Sequence, residues 1–218
     1  IRIIHSKFPN VEVLALDRNY GFGPAYNLAF KHLENSDNQL VLVLNNDTVV
    51  EPDLLDQFAA AVSIHGYENL FCPIIHYLDN PNKIWYAGGR VNLPLGQLEH
   101  VGLRQNNKGQ FLDIQQTGFV TGCCILASLD SFRRMDGFDE DFNMYSEDVD
   151  LSLRAQKIGI SSIFVPKAKI YHKVSASIGG EFSLVKLKIK LQSIKKLMKK
   201  HCSITQLCIG YPLYLIRT

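Results

Sequence analysis

Gln39-Leu40-Val41-Leu42-Val43-Leu44-Asn45-Asn46-Asp47-Thr48 is a short apolar run that ends abruptly in polar residues. A run of this length, rich in Val and Leu and without alternation, is the pattern of a strand buried on both faces of a parallel sheet. Glu51-Pro52-Asp53 then opens a helix reaching about Ile64, its acids favourably placed against the helix dipole. The same order holds on both sides. Upstream, Val11–Leu16 alternates and is rich in β-formers, which predicts a strand. The Gly-rich turn Asn19-Tyr20-Gly21-Phe22-Gly23 follows; Pro24 suits a first helical position, and Ala25, Leu28, Ala29 and Leu33 share one apolar face. Downstream, Leu70–Ile75 reads as another strand. Strands alternating with helices over this region indicate an α/β domain with a mainly parallel sheet flanked by helices.

The rest of the chain is less regular. From Ile84 to Leu103, Gly, Asn and Pro punctuate short β pieces, which suggests hairpins. Gly118–Ala127 reads as a strand carrying Thr121-Gly122. Ser146 opens a helix over Glu147–Ile158, which Gly159 closes, with Asp150 and Arg154 one turn apart. A strand over Ile160–Val165 follows. Leu184, Leu187, Leu191, Ile194 and Met198 recur at helical spacing; the alternation Val185, Leu187, Ile189, Leu191 would equally suit a strand, but the length and the lysines on the other face favour an amphipathic helix.

Composition excludes several classes. A length of 218 residues with 46% hydrophobic content suits one α/β domain with a full core. Five cysteines without a Cys-x-x-Cys pair or a Cys/His cluster point to neither a disulfide framework nor a zinc site, and fit a reducing compartment. No apolar run has membrane-spanning length, and no signal-peptide pattern is present. The net charge is only +2, but seven lysines fall between Lys186 and Lys200. The first residue is Ile1, which is read as the start of a fragment.

Three polar clusters carry the chemistry. Asp47 follows the end of a buried strand, where open α/β sheets place ligands and where a carboxylate can hold a divalent ion bridging diphosphate oxygens. Asn and Asp are also ordinary turn residues, so a plain strand-to-helix turn explains Asn45, Asn46 and Asp47 equally well. Glu147 and Asp148 begin a helix whose free N–H groups favour an ionised carboxylate, a site for a general base or simply helix charging. His172, after a strand, could ligate a metal such as Mn²⁺; the other histidines read as structural or solvated.

Taken in order, the run Asn19-x-Gly21-Phe22-Gly23-x-Ala25-x-Asn27, then Leu44-Asn45-Asn46-Asp47-Thr48, Thr121-Gly122, Gly137-Phe138-Asp139-Glu140, Glu147-Asp148-Val149-Asp150-Leu151 with Arg154, and His172 with Ser175-x-Ser177 resembles the family 2 glycosyltransferases. The likeness is nearest to their bacterial rhamnosyltransferase-like branch and covers roughly residues 10–180. It implies a GT-A (Rossmann-like) fold and inverting transfer of a sugar from a nucleotide diphosphate to a glycan or lipid-linked acceptor. By the same resemblance, Asp47 and His172 contact a divalent metal (Mn²⁺ or Mg²⁺) and Asp148 is the base. Asn19, Gly21, Gly23, Asn27, Asn45, Asn46, Trp85, Thr121, Gly122 and Glu147 line the donor and acceptor pocket. An aspartate at its reference pKa of about 3.9 is ionised at neutral pH, so Asp148 is expected to act by position rather than by tuning.

The resemblance has one gap. The family's opening strands, with a Thr-Tyr-Asn-like turn and an Asp-Asn-x-Ser-like segment, have no counterpart here, so this chain is expected to bind donor poorly. Residues 1–180 are assigned to the GT-A domain and 181–218 to a basic amphipathic extension. That extension suits either peripheral contact with anionic lipid at the inner face of the cell membrane or a solvated helix packed by one stripe. Nucleic acid is excluded as a partner because no aromatics interleave the lysines. A related nucleotidyltransferase would need a basic Gly-rich phosphate loop, which is not seen; a degenerate sugar- or partner-binding domain is the non-enzymatic alternative.

Overall fold

A computed structural model describes residues 2–34, 40–142, 144–174 and 184–217. In chain order the elements are α1 (Arg2–Lys7), α2 (Phe22–His32), β1 (Leu40–Leu44), β2 (Thr48–Val50), α3 (Leu54–His65), β3 (Leu70–Tyr77), β4 (Ile84–Tyr86), β5 (Gly89–Asn92) and β6 (Gln97–His100). They continue with β7 (Gln115–Gln116), β8 (Cys124–Ser128), α4 (Leu129–Arg134), α5 (Glu147–Lys157), β9 (Ser162–His172), α6 (Leu184–His201) and α7 (Ile204–Arg217). The main sheet has the order β1-β8-β3-β9-β2, with β4 on β3 and β7 on β9; β5 and β6 form a separate hairpin.

The sheet is mixed. β3 and β9 pair in parallel, and β8 lies antiparallel between β1 and β3. β1, β3 and β9 therefore run in one direction and present their carboxyl ends on the same side. β3 is the central strand, buried from Leu70 through His76. On one face Phe30 of α2 stacks on Phe132 of α4 at 4.2 Å, and Phe22 and Tyr26 meet Phe138 at 5.3 and 6.0 Å.

Several sequence expectations change. Val11–Leu16 forms no strand and is exposed except at half-buried Val13, because an alternating segment without a neighbouring strand has no ladder to join. The run ending at Leu44 is an end strand, paired among the described residues with β8 alone, and the first residue of β1, Leu40, is 39% exposed. Apolar content cannot tell a doubly covered strand from one on a sheet margin. The strand expected over Gly118–Ala127 starts only at Cys124, since the preceding N–H groups bond elsewhere: Gly118 to Gly89 O, Val120 to Ser152 and Gly122 to Asp148. Conversely, β9 runs on past Val165 to His172. The register shifts opposite Pro73/Ile74, so Pro166-Lys167-Ala168 bulge out and Lys169 resumes the pairing. A proline that reads as a strand end is here a bulge. Ser175-x-Ser177 lies outside the described residues.

Candidate active site

The turn Asn45-Asn46-Asp47 carries the chain from β1, at one end of the strand order, to β2, at the other. It is pinned by Asn45 N–H to Cys123 O (3.0 Å), by Thr48 Oγ1 to Asn45 O (2.6 Å) and by Lys173 N–H to Asp47 O (2.9 Å). Thr48 pairs with His172, which brings Asp47 Oδ1 to 3.3 Å from His172 Nε2. Trp85 of β4 lies edge-on to the His172 ring at 4.7 Å, and His100 packs at the same distance on Trp85. Burial holds His172 below its ordinary pKa against the pull of Asp47, and it takes His100 down to about 4.

A second centre forms where α5 meets the segment before β8. Asp148 Oδ2 accepts from Gly122 N–H at 2.9 Å, and Oδ1 from Val149 N–H at 2.8 Å. Gly122 sits against Phe22, whose ring a Cβ there would meet at 2.9 Å, so Phe22 of the Gly-rich run packs on the residue that donates to Asp148. Burial pushes the Asp148 carboxyl above its usual value, although these N–H groups oppose the rise. Asp148 is therefore a tuned carboxylate, contrary to the expectation from its reference pKa; the sequence does not show how deeply the helix start is buried. Beside it, burial and the proximity of Asp148 raise Glu147 to about 8. Glu147 Oε2 is buried with no hydrogen-bond partner among the described residues.

Cys123 links the two centres. Its carbonyl accepts Asn45 N–H at 3.0 Å and its neighbour Gly122 donates to Asp148 at 2.9 Å, while burial, with the charges of Asp47 and Asp148, raises its thiol pKa. Nothing in the sequence singled out Cys123 or His100. Two pocket residues behave differently from the rest. Asn27 bonds the Phe138 backbone in both directions (2.8 and 2.9 Å) and Glu140 at 3.1 Å, so its amide latches α2 to the acidic loop. Asn19 accepts from Gly21 N–H at 2.9 Å and shapes its own turn, where Gly21 holds φ 84°. Asn46 is exposed.

The raised Glu147 pKa carries a stability consequence. Between about pH 4.5 and 8 the folded chain holds a proton that the unfolded chain has released, so stability falls as pH rises through that window. Glu147→Gln is expected to match wild type near pH 4.5 and to melt several degrees higher at pH 8, as read by thermal denaturation across pH.

Asp47 and His172 also suit a divalent ion. Asp47 Oδ1 and His172 Nδ1 are buried without hydrogen-bond partners among the described residues, and a carboxylate beside a neutral imidazole is a donor set for Mn²⁺. Among the described residues no group of three or more His, Cys, Asp and Glu side chains could hold a metal. A two-ligand site of this kind leaves positions for phosphate oxygens and water.

The chain is similar to several known proteins. A decaprenyl-linked sugar enzyme of Mycobacterium tuberculosis, N-acetylglucosaminyl-diphospho-decaprenol L-rhamnosyltransferase, is 28% identical over 197 residues, covering 80% of this chain and 62% of the relative. Rhamnosyltransferase WbbL of Escherichia coli K12 is 25% identical over 166 residues, covering 70% of this chain and 61% of the relative. The chain thus spans about three fifths of the length of these curated relatives. The crystal structure of GalNAc-T7 with UDP, GalNAc and Mn²⁺ superposes with a TM-score of 0.67 at 14% identity, over 91% of this chain and 38% of that one, which shows a common GT-A fold. The model of one family, glycosyl transferase family group 2, matches residues 40–202, a span that holds Asp47, Asp148 and His172. With its sheet, its strand-end aspartate and its helix-start Glu-Asp pair inside that match, the chain belongs to glycosyl transferase family group 2.

Proposed function

We propose that this chain carries a metal-dependent, inverting glycosyltransferase centre that moves a sugar, rhamnose by its relatives, from a nucleotide diphosphate to an acceptor hydroxyl. The acceptor is a glycan or lipid-linked sugar in the synthesis of a bacterial surface polysaccharide, worked on at the cytoplasmic side of the membrane. The observation that supports this most is that the segment Gly122-Cys123 ties both carboxylate sites together: Asn45 N–H of the Asp47 turn bonds Cys123 O at 3.0 Å, and Asp148 accepts from Gly122 N–H at 2.9 Å. One belongs to a pair suited to a cation; the other is a half-buried carboxylate oriented by two backbone N–H groups.

In this reading Asp148 takes the proton of the acceptor hydroxyl as its oxygen bonds to the anomeric carbon. The bond from that carbon to the diphosphate breaks, and the nucleoside diphosphate leaves with the electron pair. The raised pKa makes Asp148 a stronger base than a solvated aspartate, and Gly122 and Val149 keep it aimed. A divalent ion held by Asp47 and His172 would supply positive charge for the departing diphosphate. Trp85 offers an aromatic face next to His172 for packing a sugar ring.

The Lys-rich helix divides along its length. The second half of α6 buries Ser193, Ile194, Leu197 and Met198 in the domain, whereas Leu184, Val185 and Leu187 at its start are exposed among lysines. Among the described residues no helix is long and apolar enough to cross a membrane. The exposed first turns are proposed as a peripheral contact with anionic lipid, which co-sedimentation with phosphatidylglycerol vesicles but not with phosphatidylcholine vesicles would support.

Calorimetric titration of UDP, dTDP and GDP into the full-length protein, with and without Mn²⁺, tests the centre directly. One nucleotide is expected to bind in a metal-dependent manner, and Asp47→Ala to lose that dependence. Binding indifferent to Mn²⁺ and to Asp47 would remove the metal reading; no binding by folded protein would favour a non-catalytic domain.

A further inference from the structure

The entry to the base-bearing helix is strained. Tyr145 and Ser146, both with φ 68°, occupy the left-handed region immediately before Glu147-Asp148, and neither is glycine. Non-glycine residues are sparse there, and two in succession persist only when their surroundings hold them. Ser146 stands at the N-cap of α5 without a side-chain capping bond, so its usual means of anchoring a helix start is unused.

What holds this turn comes from α6. Ser193 Oγ donates to Tyr145 O, Lys196 Nζ to Asp141 O at 2.6 Å, and Lys200 Nζ reaches Asp139 Oδ2 at 2.5 Å. The densest contact is at Asp150, whose side chain is fully buried one residue beyond Val149. Its Oδ1 receives His201 Nε2 at 2.7 Å and Lys200 Nζ at 2.8 Å; its Oδ2 receives Arg154 Nε at 2.7 Å. Arg154 in turn donates to Met135 O and to Gly137 O, at the root of the same loop. Asp150 N–H closes the circuit on Ser146 O at 2.8 Å. One face of α6 thus grips the loop at Asp139, Asp141 and Tyr145 and the first turn of α5 at Asp150.

We propose that His201 and Ser193 of α6 are positioning residues for the transfer reaction, holding the left-handed Tyr145-Ser146 turn so that the Asp148 carboxylate stays aimed by Gly122 and Val149. The inference rests on the reading of Asp148 as the base. Neither side chain need touch substrate, so their removal acts on the chemical step and leaves donor affinity in place. His201→Ala removes a donor to Asp150, His201→Gln retains one, and Ser193→Ala frees the Tyr145 carbonyl with little change in volume.

The experiment compares these variants with wild type and Asp148→Asn in the full-length protein. It measures kcat, donor KM, thermal melting and amide hydrogen exchange over residues 145–149. His201→Ala is expected to lose about tenfold or more in kcat with donor KM within about twofold. Its 145–149 amides should exchange at least tenfold faster, and His201→Gln should recover much of both. Ser193→Ala should show the same pattern more weakly. A folded His201→Ala protein with wild-type exchange at 145–149 overturns the inference, as does one with wild-type kcat or one whose KM rises in step with the loss. If Asp148→Asn retains full transfer, the base reading fails instead, and the exchange rates still decide whether α6 holds the turn.

Discussion

Asp148→Asn is expected to lower kcat for sugar transfer by ~10²–10⁴-fold, the range a positioned general base contributes, with nucleotide binding unchanged. The amide is isosteric with the carboxylate but has a single oxygen, so it can accept from Gly122 or from Val149 N–H and not from both; it keeps one of the two anchors of the helix start while proton acceptance is lost. Because burial raises the wild-type carboxyl, the neutral amide carries no ionic desolvation cost at neutral pH, which offsets the lost bond; the variant should melt within a few degrees of wild type, so that misfolding would not explain the loss. Single-turnover transfer assays with the preferred nucleotide sugar, combined with thermal melts, provide the test. A variant with full transfer would rule out Asp148 as the base.

The largest stability effect is expected at Asp150. Asp150→Ala should cost ~3–5 kcal/mol, the range for removing one partner of a buried ion pair. It leaves Arg154, Lys200 and His201 facing a vacated site, and His201 is 4% exposed. For a chain of this size the melting temperature should fall by roughly 10 °C. The pH dependence has a definite sign. Burial by itself would raise the Asp150 carboxyl, but hydrogen bonds from His201, Lys200 and Arg154 outweigh it and hold the group well below the usual carboxylate range. A depressed folded pKa contributes stability that is present above about pH 4 and is lost as pH falls through the folded value. The gap between wild type and Asp150→Ala in urea denaturation should therefore be widest near neutrality and close in strong acid. An equal gap at pH 7 and pH 2 would exclude the carboxylate's ionic bonds as its origin.

Much of the site can be read along the chain because its residues sit at the ends of elements, and ends are where local chemistry shows. Asp47 follows an apolar run, and Glu147-Asp148 opens a helix whose Asp150–Arg154 pair already has its one-turn spacing. These features depend on neighbours within a few residues. Asn27 shows the opposite case. Its amide meets Phe138, 111 residues away, and a motif position that suggests a pocket residue proves to be a latch between α2 and the acidic loop.

Composition and local pattern by themselves determined the α/β class and the helices around Phe22–His32, Leu54–His65, Glu147–Lys157 and Leu184–His201, because periodicity and capping act over one or two turns. Only the tertiary structure decided which way strands run and what each polar atom meets. β8 enters antiparallel between β1 and β3, Pro166 bulges instead of ending β9, and Val11–Leu16 is left unpaired, since pairing depends on neighbours far away in sequence. The pKa values of Glu147, Asp148 and Asp150 are likewise tertiary properties. All three acids lie within four residues on one helix, yet Glu147 and Asp148 are raised and Asp150 is depressed. The difference is that α6 brings the Lys200 ammonium and the His201 ring to Asp150, contacts formed across some fifty residues of chain, whereas Glu147 Oε2 has no hydrogen-bond partner among the described residues.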